Sequence, residues 1–321
     1  MALHARTVTR AGLSLLPVNL FIEPEHQPFL LEGGRPAALL VHGFGGTPAE
    51  MRSIGETLHQ AGWTVPALLL PGFGSEIATL PDRHYTEWID SIAEAAGALR
   101  EAGNGPLLVV GYSLGATLSI VVCETLQPQP VGMVLLAPFW WHERLWLRVL
   151  APALRPLLSS SMRPFRRADL SDPKLRQGMA KFLPGADLED PDTQQALRDF
   201  RVPISLVEEI IGVSRLAYER ASAVVSPVLV VQGTRDEVVR VPLTQKLIER
   251  FSGAAEYVEV DSGHDLTQPS NPAWPTVSAA VLRFASGLLG RSVLGYGGSD
   301  DTLDSQRQKE LGIISGLQLE S

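Results

Sequence analysis

Short apolar runs alternate with helix-like segments along most of this chain, and that alternation limits the fold more than any other feature of the sequence. The runs read AALLVHG, WTVPALLLPG, PLLVVGYS, VGMVLLAP, SPVLVVQGTRD and AEYVEVDSGH, and the first begins at residue 37. Such runs are typical of strands buried on both faces of a parallel sheet, with crossover helices between them. The sequence therefore predicts an α/β fold with a mostly parallel sheet and helices on both faces.

Two of the intervening segments carry apolar side chains at helical spacing. These positions are Met51, Ile54 and Leu58 in the first segment and Trp88, Ile92, Ala95 and Leu99 in the second. A Thr47–Pro48 pair precedes the first segment and is a typical helix start. Both segments are predicted to be amphipathic crossover helices.

The alternation stops after VGMVLLAP and resumes at SPVLVVQGTRD. We interpret the mixed sequence between them, residues 139–225, as an inserted helical cap (lid), and residues 1–138 and 226–290 as the core. Residues 291–321 are polar and rich in glycine and serine, so we predict a mobile C-terminal tail.

The composition argues against several classes of function. The formal net charge of the 321 residues is −8 and no nucleic-acid motif is present, so a nucleic-acid partner is not expected. No uninterrupted apolar segment approaches the roughly 20 residues of a membrane span. A basic stretch from Arg144 to Arg167 leaves open a solvated helix face, a substrate carboxylate or peripheral contact with anionic lipid. Cys123 is the single cysteine, and its apolar surroundings predict a buried structural thiol.

The first residues have some features of a signal peptide. Arg6 and Arg10 precede the apolar stretch AGLSLLPVNLFI, but Pro17 and Asn19 interrupt it and no small-residue cleavage site follows. We interpret this stretch as a strand that enters the fold. With no signal, span or disulfide, the chain is expected to be cytoplasmic.

The stretch GYSLG follows the apolar run PLLVV. Gly111 and Gly115 lie two residues on either side of Ser113, and LGATLSIVVCETL then continues as a predicted helix. This pattern is typical of a nucleophile elbow, a tight turn that presents the serine hydroxyl above the sheet edge. Glycines suit these positions because strand and helix come closest there. We therefore predict that Ser113 is a nucleophile; the alternative is an ordinary turn.

A serine nucleophile needs a base, and the base needs an acid that holds its tautomer. Of the seven histidines, only His142 and His264 follow Ser113 in the chain. Asp236 ends one apolar run and His264 follows the next, which is the order expected with such an elbow. Alone, Asp236 reads as a helix cap and His264 as a loop residue. Because both arrive at separate strand ends in that order, we predict that His264 is the base and Asp236 the acid. Three nearby carboxylates are alternatives for the acid: Glu237, Asp261 and Asp265.

The loop HGFGGTP follows the first parallel strand and offers donors for a developing oxyanion. We predict that the backbone amides of Phe44 and Leu114 fill this role, because the glycines let the loop bend towards substrate and Leu114 begins a helix. His42 is expected to shape the loop rather than transfer protons. A phosphate-binding loop is the alternative, but HGFGG lacks both the GxxxxGK[ST] and the GxGxxG spacing.

Taken together, these motifs resemble the α/β-hydrolase superfamily. They are HGFGGTP at 42–48, GYSLG at 111–115, GTRDEVV at 233–239 and SGHD at 262–265. The chain is further similar to bacterial carboxylesterases and monoacylglycerol-lipase-like enzymes, through roughly residues 35–138 and 224–287. Two departures are Phe73, where those relatives often have histidine, and an insertion longer than their smallest caps.

The motifs and the resemblance imply a serine carboxylic-ester hydrolase that acts through an acyl-enzyme on small to medium acyl esters or monoacylglycerols. No cofactor and no metal are expected, because no cluster has metal-ligand spacing. Thioesterases, acyltransferases and C–C bond hydrolases with the same serine machinery are alternatives, as is a non-catalytic binding protein of this fold.

The cap begins with the aromatic stretch PFWWHERLW. Trp140 and Trp141 are predicted to line an acyl pocket, since ligand sites are mostly apolar. The alternative is that they attach the cap to the sheet. A lipase whose cap opens at a lipid surface is a further interpretation of the same residues.

Overall fold

A computed structural model gives the fold of the chain. It describes residues 21–140, 161–163, 165–173, 176, 187–199 and 201–295. Three sequence predictions therefore lie wholly or mostly outside the described residues: the N-terminal strand in AGLSLLPVNLFI, the role of Trp141, and the tail.

A seven-stranded sheet forms the centre of the described chain. The strands in chain order are β1 (Phe29–Leu31), β2 (Ala37–Val41), β3 (Val65–Leu68), β4 (Leu107–Tyr112), β5 (Gly132–Leu136), β6 (Ser161–Met162), β7 (Val202–Pro203), β8 (Val228–Gly233) and β9 (Ala255–Val260). The sheet order is β1-β3-β2-β4-β5-β8-β9, and β6 and β7 form a separate antiparallel pair. Within the sheet only β1 runs antiparallel to its neighbour. Each predicted apolar run contains one strand, so the α/β prediction is confirmed.

Helices cover both faces of this sheet. In the described residues they are α1 (Arg52–Gln60), α2 (Tyr85–Glu101), α3 (Leu114–Thr125), α4 (Pro191–Asp199), α5 (Ile204–Arg220), α6 (Val241–Ile248) and α7 (Trp274–Gly295). The two predicted crossover helices correspond to α1 and α2. None of these helices is both long and apolar enough to cross a membrane.

Two apolar cores lie on opposite faces of the sheet because side chains alternate along each strand. On one face, Leu39 and Val109 pack with residues of α2, α3 and α5. On the other, Leu40 and Val110 pack with residues of α1 and α7. Every residue of β2, β4, β5 and β8 is buried, as expected for interior strands with helices on both sides.

The segment predicted as a cap contributes directly to one of these cores. Within it, α5 packs against α3, and Val213 and Ala217 join the core on that face of the sheet. Leu170 and Leu197 form a small separate apolar cluster. The last described helix, α7, continues to Gly295, which lies inside the segment predicted as a tail.

Candidate active site

Ser113 lies at the turn between β4 and α3. Its φ of 51° falls in the region that favours glycine, so its backbone is strained. A Cβ atom on Gly111 would lie 2.5 Å from the Cα atom of Ala116, and one on Gly115 would lie 2.3 Å from the carbonyl oxygen of Val41. Both glycines are therefore required by the close approach of strand, loop and helix.

The structure brings Ser113, His264 and Asp236 together, although they follow three different strands. The Ser113 hydroxyl lies 3.0 Å from Nε2 of His264, and Nδ1 of His264 lies 2.7 Å from Oδ2 of Asp236. With the proton on Nδ1, His264 donates to the carboxylate and its Nε2 is free to accept the serine proton. This is the geometry that an activated serine needs.

Asp236 has an environment that keeps it ionised. Its Oδ1 accepts hydrogen bonds from the amides of Val238 and Val239, both at 2.8 Å. Burial favours the protonated acid, but the hydrogen bond and charge of His264 and the two amides outweigh burial, so the pKa of Asp236 lies below its usual value. Among the alternative acids, Asp261 is exposed and pairs with Arg235.

Two positioning residues were not identified from the sequence. Gln232, fully buried in β8, donates from Nε2 to Oδ2 of Asp236 at 3.1 Å, and its Oε1 accepts the Thr244 hydroxyl at 2.8 Å. Tyr112 donates from its hydroxyl to the carbonyl oxygen of His264 at 2.9 Å. A signal for Gln232 is present, since a polar residue in the apolar run VLVVQG needs buried partners.

His42 anchors the glycine loop that follows β2. Its Nδ1 donates to the carbonyl oxygen of Gly43 at 2.9 Å, and its Nε2 accepts the amide of Leu70 at 3.0 Å. Burial lowers the pKa of His42 to about 4, against the opposing effect of the Gly43 hydrogen bond. His42 is therefore neutral at pH 7, and both ring nitrogens are already engaged.

The two residues whose amides are predicted to bind an oxyanion belong to the same cavity as Ser113. Phe44 belongs to the glycine loop and Leu114 is the first residue of α3, and both line the cavity that contains Ser113. Within the described chain, neither amide donates a backbone hydrogen bond. Both N–H groups are thus available to a ligand, and the α3 N-terminus favours negative charge there.

Phe73, which departs from the resembled enzymes, packs behind the same loop. It is fully buried, and its ring lies edge-on to those of Phe44 and His42 at centroid distances of 5.9 and 5.2 Å. It also contacts Trp88 of α2 at 5.7 Å. Phe73 therefore supports the glycine loop from the core side.

A cavity of about 530 Å³ opens at Ser113. Part of its lining is apolar and includes Phe44, Phe139, Ile210 and Val238. Polar groups of Thr47, Glu50, His264 and Gln268 also line it. The cavity can accept a mostly apolar ligand with a polar portion at the serine.

Trp140 makes a different contact from the one predicted for an acyl pocket. Its ring is buried and stacks on Tyr218 of α5, with centroids 4.4 Å apart and planes 11° from parallel. Trp140 is absent from the described cavity lining, whereas its neighbour Phe139 belongs to it. This stacking corresponds to the alternative in which the tryptophan attaches the cap.

Other chemistries find less support in the described residues. Cys123 is buried, and burial raises the pKa of its thiol to about 11, so it is not a thiolate at neutral pH. No group of three or more His, Cys, Asp or Glu side chains in the described part of the chain is placed to bind a metal ion.

Curated proteins with similar sequences include bacterial lipases and esterases. The chain is 35% identical over 108 residues to a thermostable monoacylglycerol lipase of Bacillus sp. (strain H-257), which is 34% of this chain and 42% of that protein. It is 31% identical over 94 residues to a carboxylesterase of Bacillus subtilis (strain 168), 29% of this chain and 38% of that protein. The matches thus span about two fifths of each relative.

Solved structures support the fold. One of the metagenome-derived lipolytic enzymes LipS and LipT aligns with a TM-score of 0.63 at 20% identity, over 82% of this chain and 98% of that one. A monoacylglycerol lipase of Paleococcus ferrophilus aligns with a TM-score of 0.57 at 20% identity, over 82% of this chain and 99% of that one.

The family comparison covers most of the chain. Residues 34–264 match the family model Hydrolase_4, described as serine aminopeptidase, S33. This range includes the glycine loop, the serine elbow and the histidine loop. Since the match extends over more than half of the 321 residues, the chain belongs to this family of α/β hydrolases.

Proposed function

We propose that the protein is a serine hydrolase that cleaves carboxylic esters through an acyl-enzyme on Ser113. The observation that carries this proposal is the hydrogen-bonded series from Ser113 through His264 to Asp236 at the wall of a cavity. The curated relatives, named as a monoacylglycerol lipase and a carboxylesterase, support the same reaction class.

The first step is attack by the Ser113 hydroxyl on the ester carbonyl carbon. As the new C–O bond forms, Nε2 of His264 takes the serine proton. The Asp236 carboxylate accepts the Nδ1–H of His264, which holds the tautomer and stabilises the imidazolium. The lowered pKa of Asp236 suits this role because an ionised acid is needed.

The carbonyl oxygen gains negative charge during this attack. The amides of Phe44 and Leu114 would donate to it, and both residues line the cavity that contains Ser113. Such preorganised donors act mainly in the transition state, since they strengthen as charge develops.

Collapse of the tetrahedral intermediate breaks the ester C–O bond. His264 then gives its proton to the leaving alcohol, and Ser113 keeps the acyl group. In the second half-reaction His264 takes a proton from water, and the hydroxide attacks the acyl carbon. The acid leaves and the proton returns to Ser113, so the enzyme is regenerated without a cofactor.

The proposed substrates are small to medium acyl esters or monoacylglycerols. The apolar side chains of Phe139, Ile210 and Val238 offer an environment for the acyl chain. We propose Phe139 rather than Trp140 as the aromatic contact for the substrate, because Trp140 is stacked on Tyr218.

The test compares hydrolysis of p-nitrophenyl esters from acetate to palmitate by the native protein and by Ser113→Ala. We expect turnover to fall by on the order of 10⁶-fold, to the detection limit. Ser75→Ala is the matched control, because Ser75 is exposed and outside the cavity lining, and it should retain native activity.

A fluorophosphonate probe gives a second readout, since it labels an activated serine without turnover. Native protein inert towards all esters and the probe, or Ser113→Ala with native activity, would contradict the proposal. Aminoacyl p-nitroanilides should be assayed in parallel, because the family description names an aminopeptidase. Preferential cleavage of these amides would replace the ester with an amide as the substrate.

A further inference from the structure

Glu50 lies in the active-site cavity, but the proposed reaction does not use it. It belongs to the short 3₁₀ helix Pro48–Met51, directly after the glycine loop, and its half-buried side chain lines the cavity. Its Oε1 accepts a hydrogen bond from the backbone amide of Gly43. No Arg, Lys or His among the described residues forms an ion pair with it, so charge pairing does not explain the carboxyl.

The Gly43 residue is held at both of its polar backbone groups. Its N–H is bound by Glu50, and its carbonyl oxygen accepts Nδ1–H of His42 at 2.9 Å and the amide of Gly46 at 3.2 Å. In a trans peptide the carbonyl of one residue and the N–H of the next lie in one plane and point in opposite directions within it. The Gly43 carbonyl shares a peptide plane with the Phe44 N–H, whereas the Gly43 N–H bound by Glu50 belongs to the preceding plane. The contacts of Glu50, His42 and Gly46 thus fix both planes that meet at the Gly43 Cα atom, and with them the direction of the Phe44 N–H.

The loop is also shaped to admit this carboxyl. A Cβ atom on Gly46 would lie 2.3 Å from Oε1 of Glu50, and one on Gly43 would lie 3.3 Å from the same oxygen. A Cβ atom on Gly43 would also lie 3.2 Å from the Cβ atom of Ser113. Glu50 is thus packed against Gly43 and Gly46, and Gly43 in turn lies against Ser113.

We propose that Glu50 is a positioning residue for the oxyanion site, holding Gly43 so that the Phe44 amide faces the carbonyl oxygen of the substrate. The inference rests on the proposed function, because it assigns a task to the same site. Burial raises the pKa of Glu50 to about 7, against the opposing Gly43 hydrogen bond. Both the acid and the carboxylate present an oxygen that accepts the Gly43 amide, so the contact does not depend on either state.

The test uses three full-length variants and the best p-nitrophenyl ester. Glu50→Leu removes the acceptor, and Glu50→Gln keeps one of nearly the same size and reach. Glu56→Leu is the matched control, because Glu56 is exposed on α1 and outside the cavity lining. The readouts are kcat, KM and the affinity for an alkyl boronic acid, which forms a tetrahedral adduct on an activated serine.

We expect Glu50→Leu to lower kcat by on the order of 10²-fold, as for loss of one oxyanion donor, with KM within about threefold of native. The boronic acid should bind more weakly by the same factor as the loss in kcat/KM. Glu50→Gln and Glu56→Leu should stay within about threefold of native, because the Gly43 acceptor remains in both.

A native kcat in Glu50→Leu would overturn the inference. A raised KM with unchanged kcat would also overturn it, because Glu50 would then contact the substrate in the ground state instead of positioning the oxyanion site. If Glu50→Leu does not fold, Glu50→Asp replaces it, because the shorter side chain withdraws the carboxyl from Gly43. In Glu50→Asp kcat should fall at least tenfold. A native kcat in that variant would overturn the inference. Failure of the proposed function is distinct, since the native protein would then be inert towards esters and the fluorophosphonate probe.

Discussion

Gln232 donates a hydrogen bond to Oδ2 of Asp236, the same oxygen that accepts Nδ1–H of His264. The other carboxylate oxygen accepts two backbone amides of its own loop. Gln232 is in turn held by the hydroxyl of Thr244 and by the carbonyl oxygen of Val239, at 3.0 Å. The acid of the proposed triad is therefore oriented from the sheet as well as from the loop.

Gln232→Leu should weaken both activity and stability. The Asp236 carboxylate would lose one of its orienting donors, so we expect kcat to fall by roughly tenfold. The Thr244 hydroxyl and the Val239 carbonyl would lose a buried partner, which should lower the free energy of unfolding by about 1–3 kcal/mol. Ester kinetics and urea unfolding measure the two effects. Gln245→Leu, an exposed change on α6, is the control and should leave both kcat and the free energy of unfolding near native values. An unchanged kcat in Gln232→Leu would contradict the prediction.

Gly115→Ala should damage the elbow. The added Cβ atom would lie 2.3 Å from the Val41 carbonyl oxygen and 2.4 Å from that of His42, and these backbone atoms cannot yield without moving the glycine loop. We expect the free energy of unfolding to fall by about 1–3 kcal/mol and kcat to fall at least tenfold. Urea unfolding and ester kinetics measure these quantities.

Gly97→Ala is the matched control for Gly115→Ala. Gly97 lies inside α2, and a Cβ atom there would meet nothing within 4 Å. Alanine should therefore raise the free energy of unfolding by about 0.5–1 kcal/mol through helix propensity and leave kcat unchanged. A Gly115→Ala variant as stable and active as Gly97→Ala would refute the steric argument.

Much of the fold and the residues of the candidate site could be predicted because they follow strong local signals. Interior strands such as β4 and β8 are continuous apolar runs, since both of their faces are covered. Ser113, Asp236 and His264 each come shortly after such a run. Parallel strands end at one edge of a sheet, which is why side chains so distant in sequence were expected to meet.

The features that the sequence did not predict depend on contacts between distant elements. Glu50 reads as an ordinary first-turn residue, and its contact with Gly43 exists only once the glycine loop is folded. The direction of the Trp140 ring depends on the packing of α5, which supplies Tyr218. The described edge strand β1 has three residues, two half-buried and one exposed, so it carries too little pattern to recognise.

Gly46→Ala should impair catalysis through Glu50. The added Cβ atom would lie 2.3 Å from Oε1 of Glu50 and displace the carboxyl from the Gly43 amide. The φ of Gly46 lies outside the left-handed region, so the backbone itself tolerates alanine. We expect a fall in kcat of at least tenfold with little change in KM, measured on the same ester. In a Glu50→Ala background the space is empty, and Gly46→Ala should then cost less than threefold; equal losses in both backgrounds would contradict this coupling.

His42 and Glu50, on either side of Gly43, should give stability opposite dependences on pH. Burial lowers the pKa of His42 from 6.5 to about 4. Between pH 6.5 and pH 4, therefore, His42 is protonated in the unfolded chain but neutral in the native chain. This contribution to the free energy of unfolding is present above pH 6.5 and should fall by about 2 kcal/mol between pH 7 and pH 5. The contribution of Glu50 to the free energy of unfolding has the opposite sign. Its pKa rises from 4.5 to about 7, so between these values Glu50 stays protonated in the native chain and is ionised in the unfolded chain. Stability therefore decreases as pH rises through this range.

Urea unfolding at pH 5 and pH 7 separates the two contributions, because each variant removes one of them. In His42→Asn the change in unfolding free energy from pH 5 to pH 7 should be about 2 kcal/mol less positive than in the native protein. In Glu50→Gln the same change should be more positive than in the native protein. Any lost packing shifts a variant equally at both pH values, so only the difference between the two pH values reports the proton. A His42→Asn variant with the native pH dependence would show that the pKa of His42 is the same in the folded and unfolded chain. That result would remove the argument that the histidine is held neutral beside the glycine loop.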